Sequence, residues 1–491
     1  MEFSVDYSYR GKLNLIFESI FPRWELNGFT YKIPEWLFRL TVSAYCLIEL
    51  TDCRDRSTLT NQYPPQAPPC FDQVLFRRSQ QALGSKFAKL KNAAIFPTMS
   101  DPQAVSAAVA KLYDTYPFPP EPILDEPPPG YNWRWNWLAA YNFCTGQKPQ
   151  KQDIRILDAG CGSGVSTEYL VHLNPQAHVV GIDLSAGTLA VAKERCQRSG
   201  ASRVEFHHLS LYDVDQLPGE FDLINCVGVL HHLPDPIRGI QSLAAKLAPG
   251  GLMHIFVYGE LGRWEIKLMQ QAIALLQADK RGDYRDGVQL GRKLFASLPE
   301  NNRIVKREKE RWSLENHRDE CFADMYVHPQ EIDYNIDTLF ELIDASRLDF
   351  IGFSNPGFWQ LERLLGKDPS LIERAKGLSE RQAYRLIELL DPEVTHYEFF
   401  LGRSPLPKAD WSTDAALLAA IPELNPCIDG FPSRCLFNYD YQIVNLSEEE
   451  FKFLQSCDGK STVGEILTEV ELALDRVRSL LTQQLILLAP N

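Results

Sequence analysis

Ile154-Arg155-Ile156-Leu157-Asp158-Ala159-Gly160-Cys161-Gly162-Ser163-Gly164 decides the fold of this chain. A short apolar run ends at an acid, and three glycines follow at alternate positions. The run has the length and composition of a buried strand. The glycines let the backbone turn sharply and come within contact distance of a ligand, with no Cβ in the way. Residues 167–173 read as a helix rising from that turn. Nineteen positions past Gly164, Asp183 closes a second apolar run, Val179-Val180-Gly181-Ile182. Strand, glycine turn, helix, strand and terminal acid occur in that order at a nucleotide site of a doubly wound sheet. There the first turn holds the centre of the ligand and the acid takes a ribose hydroxyl.

The spacing selects among nucleotides. A dinucleotide fingerprint has glycine at its first, third and sixth positions, and the sixth here is Val165. Asp158 stands at the mouth of the turn, where a carboxylate repels a pyrophosphate. It would attract a ligand with an ammonium and a sulfonium but no phosphate. S-adenosyl-L-methionine meets that description and NAD does not.

Three more motifs follow in order. Asp213 lies in Leu211-Tyr212-Asp213-Val214-Asp215-Gln216-Leu217-Pro218. Phe221-Asp222-Leu223-Ile224-Asn225 reads as a fourth strand, with Val229-Leu230-His231-His232-Leu233 after it. Leu247-Ala248-Pro249-Gly250-Gly251 leads into a fifth. A lone glycine loop is weak evidence, whereas ordered motifs at these intervals are specific. On these residues, 154–257 resembles the class I S-adenosylmethionine-dependent methyltransferases. The resemblance implies that Asp158 and the backbone of Gly160, Cys161, Gly162 and Gly164 hold the methionine portion of the cofactor. It places Asp183 and Leu184 at the ribose, Asp213 at the adenine amino group, and Asn225 at the cofactor site. Gly162→Asp is expected to abolish cofactor binding while leaving the fold intact.

The fold class expected is α/β: a Rossmann-like, doubly wound seven-stranded sheet with an antiparallel last strand and a helical insertion. A small accessory domain at 1–95, of unclear fold, precedes the methyltransferase domain at 101–404. Residues 259–336 form a largely helical insertion that would shape the acceptor pocket. A helix is expected at 337–346, and strands at 348–354 and 394–401 would form the closing hairpin around a helical excursion at 357–392. Trp133, Trp137 and Tyr141 recur at helical spacing and predict three rings on one buried face.

The tail at 406–491 reads as a winged-helix-like α+β module that resembles the PqqD-like, peptide-binding kind. Ser447-Glu448-Glu449-Glu450 is a capping-box start. Six basic and thirteen acidic residues give this module a net charge of −7, which disfavours DNA and leaves protein docking or packing onto the catalytic domain.

The whole chain carries a net charge of −14, which disfavours nucleic acid and anionic membranes as partners. Local basic runs at 303–311 and at Arg77, Arg78, Lys86, Lys89 and Lys91 read as solvated helix faces. Eleven cysteines without CxxC pairs suit a reducing compartment, and a cytoplasmic location is expected. The apolar run at 36–50 is too short to span a bilayer and carries Arg39.

His231 and His232 follow the fourth strand, where its carboxyl end opens onto the site, and either could deprotonate a hydroxyl acceptor. The alternative is that one packs near the cofactor and the other faces a helix. His317, Asp324, Tyr326 and His328 form a second polar group, read as acceptor-binding, and no metal is expected because the spacing matches no zinc motif. The segment Asn225-Cys226-Val227-Gly228 lacks the Asn/Asp-Pro-Pro-Tyr/Phe pattern of enzymes that methylate DNA amines or a glutamine amide. A small or medium-sized acceptor is expected, with a protein or peptide side chain as the alternative. A cofactor-binding adaptor without turnover is the reading from another class.

Overall fold

The computed structural model describes residues 101–439 and 441–491. The accessory domain expected at 1–95, with its apolar run and its basic residues, lies outside the described residues. From residue 101 onward the chain belongs to one compact body.

Its centre is a seven-stranded sheet in the order β3-β2-β1-β4-β5-β7-β6. The strands are β1 (Arg155–Ala159), β2 (His178–Asp183), β3 (Val204–His208), β4 (Phe221–Val227), β5 (Leu247–Tyr258), β6 (Asp349–Phe353) and β7 (His396–Gly402). The first five pair in parallel, and β7 is antiparallel to both β5 and β6. The seven strands and the antiparallel closing hairpin are those the resemblance implied.

β1 and the middle of β5 are apolar runs because helices cover both sheet faces. Edge strand β3 is only partly covered, so Val204-Glu205-Phe206-His207-His208 has no apolar run to betray it. β5 already includes Leu247 to Gly251, the stretch expected only to lead into it, because Leu247 pairs with Phe221 and the strand runs on to Tyr258.

The insertion forms the helices Trp264–Gln277, Tyr284–Ser297 and Asp319–Tyr326. They share a core of Ile266, Met269, Ile273, Val288, Phe322 and Tyr326. The excursion between β6 and β7 holds three short helices, of which Glu380–Leu390 packs Ile387 into the main core.

The single aromatic helix face expected at Trp133 is broken. Asn136 adopts an extended conformation and caps a new helix, Trp137–Thr145, by accepting from the Ala139 amide. Trp137 and Tyr141 therefore meet at a ring distance of 4.9 Å. Trp133 instead turns to Phe143 and Phe400. The asparagine is a stronger local signal than the ring spacing.

The last eighty residues have their own core around Leu417, Phe453, Leu454, Val463, Val477 and Ile486. Strands β8 (Ile421–Leu424) and β11 (Ile486–Ala489) pair antiparallel, as do β9 (Cys435–Phe437) and β10 (Ile443–Asn445). Between them lie the helices Glu448–Gln455, Val463–Glu469 and Leu474–Thr482. Ser447 with Glu450 and Thr462 with Glu465 form two reciprocal capping boxes. This tail is tied to the body: Asn142 donates to the Leu488 carbonyl at 2.9 Å and Tyr131 to the Asn438 carbonyl at 2.6 Å.

Candidate functional site

The glycine loop leaves β1 with the amides of Gly160 and Cys161 donating to the Ile182 carbonyl at 2.8 and 2.9 Å. Gly160, Gly162 and Gly164 all have positive φ. A Cβ on Gly160 would sit 2.4 Å from Val229 Cγ2, and one on Gly164 2.8 Å from Ala192. A strap formed by residues 116–122 crosses the loop. The Phe118 carbonyl accepts from the Ser163 amide at 2.9 Å and lies 2.5 Å from where a Gly162 Cβ would be. Buried Arg195 holds the strap from below, donating to the carbonyls of Ser163, Pro122 and Glu121 at 2.7–2.9 Å. Gly162→Asp would therefore collide with the strap, contrary to the expectation that the fold around it would be untouched.

Asp158 turns into the sheet. Its carboxylate accepts from Ser166, Thr167 and the Asn225 amide nitrogen at 2.7, 2.5 and 2.8 Å. Trp135 Nε1 can only donate, and it bonds Asn225 Oδ1 at 3.0 Å, which fixes the amide's orientation. His254 Nδ1 reaches the same oxygen at 2.8 Å and its Nε2 reaches Glu398 at 3.1 Å. Arg134 and Ser354 complete the Glu398 carboxylate at 2.6 and 2.7 Å. Asp158, Asn225 and His254 are register partners on adjacent strands, so one buried polar row crosses the sheet from the loop to β7. Asp158, Asn225 and His254 are all buried within the sheet. Asp158 and Asn225 shape the loop rather than forming its surface.

Burial would raise Glu398, but the Arg134 guanidinium and the His254 ring outweigh it and pull the carboxyl down to about 2. Its unfolded value is about 4.3. A depressed carboxylate stabilises the fold above the unfolded value, and that stabilisation is lost as pH falls from about 4.3 toward 2. Glu398→Gln is expected to cost on the order of 3 kcal/mol at neutral pH and to flatten the acid limb of stability. Unfolding free energies measured across acidic pH test this. An acid limb identical to that of the unaltered protein would contradict it.

The groups that stay partly exposed around the loop are Gly160, Gly162, Asp183, Leu184, Asp213 and Gly228. Asp183 accepts from the amides of Gly162 and Ser185 at 2.9 and 2.8 Å. Burial pushes its carboxyl up, the amide donors pull it back, and the Asp158 charge adds to the rise. A Cβ on Gly228 would meet nothing within 4 Å, so the end of β4 opens onto free space. Two nearby carboxylates, bonded to amides and hydroxyls, suit a positively charged ligand rather than a phosphate. These residues fit S-adenosylmethionine: the loop backbone would hold its methionine portion, Asp183 and Leu184 the ribose, and Asp213 the adenine amino group. Cys161 is buried inside the turn, so only its backbone is available.

Beyond β4 and β5 lies a second buried cluster. Tyr113, on the helix Pro102–Thr115, donates to Asp324 at 2.8 Å, and Tyr258 approaches the other carboxylate oxygen at 3.4 Å. The His232 and His328 rings stack with centroids 3.7 Å apart, and Tyr113 lies 5.7 Å from His328. His231 is sealed between Tyr258 and His232 at 4.0 and 4.1 Å. Burial, with help from the neighbouring cations, holds His231 and His328 well below the ordinary histidine value. Burial raises Asp324, with the His232 charge and the Tyr113 hydrogen bond opposing it. Residues 328–334 close the cluster by running along the end of β5, where the Tyr334 amide donates to Tyr258 and the Ile332 amide to His231. Arg263 lies 3.5 Å from the Tyr258 ring centre and pairs with Glu331.

The sequence thus named four members of this cluster, His231, His232, Asp324 and His328, and the fold brings them together. Tyr326 and His317 fall outside it. Tyr326 lies two residues past Asp324 and so on another face of the helix, points into the insertion core and donates to Glu308. His317 is exposed and caps the Leu314 carbonyl at 2.7 Å. Tyr113 and Tyr258 were missed, because neither lies in a motif and only the fold joins them to Asp324. The basic run at 303–311 is not a free solvated face: Arg307 pairs with buried Glu265 at 3.0 Å and with Glu393. Among the described residues no group of three acidic, histidine or cysteine side chains is disposed to hold a metal ion.

Residues 157–253 match the family model described as a methyltransferase domain. An uncharacterized protein of Synechococcus sp. is 63% identical over 394 residues, covering 79% of this chain and 94% of its own. A ubiquinone biosynthesis O-methyltransferase of Aromatoleum aromaticum is 41% identical over 98 residues, 20% of this chain and 41% of that enzyme. PKMT2 from Rickettsia typhi, solved also in complex with AdoHcy, superposes with a TM-score of 0.52 at 16% identity, covering 74% of this chain and 76–77% of that one. The chain belongs to the class I S-adenosylmethionine-dependent methyltransferases, and S-adenosylmethionine is its cofactor. The match to the uncharacterized Synechococcus protein runs along nearly the whole of that protein.

Proposed function

We propose that the protein methylates a small or medium-sized acceptor whose reactive group enters the cluster of Tyr113, His232, Tyr258, Asp324 and His328. One observation carries this reading. The cluster's polar groups are enclosed by the chain's own helices and by residues 328–334, leaving His232, Asp324 and His328 only 5%, 6% and 8% exposed. A compact molecule can be surrounded there, whereas a folded surface cannot reach in.

The bound cofactor supplies an electrophilic methyl group on a sulfonium, an excellent leaving group. Alignment and desolvation of the acceptor therefore account for most of the rate. The glycine loop and Asp183 would fix one side. On the other, Tyr113 and Tyr258 hold the Asp324 carboxylate, and the neutral histidines offer a site for the acceptor's proton. The helix Pro102–Thr115 joins the two: Asp114 accepts from Ser185 and Gly187 at 2.6 and 3.0 Å beside the ribose acid, one residue from Tyr113.

The experiment is transfer of labelled methyl from S-adenosylmethionine into an extract of a strain lacking the protein, separated into small molecules and polypeptides. Label among small molecules is the expected result. Label confined to polypeptides would replace the reading with its alternative, and cofactor binding without any transfer would favour the adaptor.

A polypeptide acceptor has its own support. The tail module is acidic, and β10 forms one edge of a two-stranded sheet with Ile443 half exposed. An extended peptide could add to such an edge. One relative, 86% identical over 101 residues (21% of this chain, 94% of its own), is named an uncharacterized phycocyanin operon protein of Pseudanabaena tenuis, which makes phycocyanin polypeptides worth including among the acceptors. Because the tail is tied to the body through Asn142 and Tyr131, deleting it would damage the catalytic part. Ile443→Asp is the cleaner probe. If the peptide reading holds, this change lowers transfer to polypeptides at least about tenfold, roughly 1.4 kcal/mol of docking energy, with cofactor affinity unchanged.

A further inference from the structure

The backbone of one residue, Gln330, sets the proton positions of both stacked histidines. Its carbonyl lies 2.9 Å from His232 Nδ1, and a carbonyl can only accept. His232 therefore carries its hydrogen on Nδ1 and, when neutral, presents a lone pair at Nε2. The Gln330 amide donates to His328 Nδ1 at 3.1 Å, and an amide can only donate. Neutral His328 therefore carries its hydrogen on Nε2. That N–H is buried with no partner among the described residues, an arrangement that normally costs a protein stability. Two rings of the same residue type, stacked at 25°, thus offer opposite polarity on the sides turned away from Gln330.

Resting on the proposed methyl transfer, we propose that His232 and His328 form an ordered acceptor–donor pair for the substrate: Nε2 of His232 takes the proton of the group being methylated, and Nε2–H of His328 grips an oxygen beside it. The substrate class this defines is a molecule with an ionisable X–H group next to a hydrogen-bond-accepting oxygen. In the step, the X–H bond breaks and its proton goes to His232 Nε2. The electron pair left on X forms the bond to the methyl carbon, and the carbon–sulfur pair stays with sulfur, giving S-adenosylhomocysteine. His232 then returns its proton to solvent.

The surroundings keep the pair neutral at rest. Burial and the Arg263 charge disfavour a charge on His232, Asp324, Glu331 and the Gln330 carbonyl favour one, and the neutral rings of His231 and His328 pack beside it. Tyr113 and Tyr258 occupy the remaining sides. Burial dominates and lowers His232. His231 differs from its neighbour: both ring nitrogens are sealed and unpartnered, and no substrate atom could reach it.

Nitrogen-15 NMR of the histidine-labelled full chain reads the tautomers directly, with His232→Gln and His328→Gln assigning the signals. The expected result near neutral pH is Nδ1–H for His232 and Nε2–H for His328. The reverse assignment, or a cationic ring at either position, overturns the proposal without touching the methyltransferase reading. Labelled-methyl transfer into the deletion-strain extract supplies the second measurement. His232→Gln should lower the saturated rate about 10²- to 10⁴-fold with cofactor affinity unchanged. The rate of the unaltered enzyme should fall on the acid side of a pKa below about 6.5, and that dependence should vanish in the variant. His328→Leu should raise the amount of extract needed for half-saturation at least about tenfold, and His328→Gln, which keeps an N–H donor, should restore most of it. A His232→Gln rate within threefold of the unaltered one overturns the pair, as does equal binding by His328→Leu. If no protein form transfers label while the tautomers are as expected, the proposed function fails and the proton assignment stands.

Discussion

Gly162→Ala is expected to weaken S-adenosylmethionine binding at least about hundredfold, close to 3 kcal/mol. Left-handed backbone costs about 1–2 kcal/mol once a Cβ is present. Here the Cβ would also lie 2.5 Å from the Phe118 carbonyl, with Phe118 held by its bond to the Ser163 amide. Either the loop changes shape or the strap lifts, and both spoil the cofactor side of the site. Titration calorimetry with S-adenosylmethionine measures the loss, and thermal unfolding shows whether the rest of the body survives. Binding within a few-fold of the unaltered protein would mean that the strap yields freely and that the loop conformation is not what holds the ligand.

The largest expected effect on stability is at Asn225. Asn225→Leu removes the acceptor of Trp135 and His254 and the donor of Asp158, leaving a buried carboxylate and two buried N–H groups short of partners. Removing one partner of a buried charged network typically costs about 3–5 kcal/mol. Urea unfolding should show a loss in that range, with cofactor affinity falling as Asp158 moves. Asn225→Asp retains an acceptor for Trp135 and His254 but sets a second carboxylate against Asp158. It should therefore also destabilise, and more strongly as pH rises and both acids ionise. A loss under about 1 kcal/mol for the leucine variant would show that the row is not acting as a network.

The central sheet was legible because its parallel strands are buried on both faces, which forces apolar runs such as Val179 to Ile182 to stand out between polar turns. Ser447 and Thr462 could be read for a different reason: a capping box is a local arrangement, complete within four residues. Strand β3 escaped because an edge strand buries little, and the break at Asn136 escaped because the aromatic spacing masked a cap. The cofactor loop was visible as glycines at fixed offsets. What could not be read was its company. Phe118 over Gly162 and Glu398 behind His254 are contacts across long stretches of chain, with no spacing to announce them. The acceptor side divides the same way. The i, i+4 spacing of Asp324 and His328 suggests a shared helical face, but only the fold shows that Asp324 meets Tyr258 of β5, that Tyr326 enters the insertion core and that His317 stays exposed.

If the acceptor enters as proposed, the helix Pro102–Thr115 touches both halves of the reaction within two residues, since Asp114 is anchored beside Asp183 while the Tyr113 hydroxyl faces Asp324. It therefore gauges the gap across which the methyl group must travel, and in-line transfer tolerates little error in that gap. Redesign for a new acceptor would have to respect this. Substitutions in the insertion can alter the shape of what is admitted, but any that tilt this helix will change the distance between donor and acceptor for every substrate at once. Selectivity and speed are thus adjustable separately on one wall of the site and inseparable on the other.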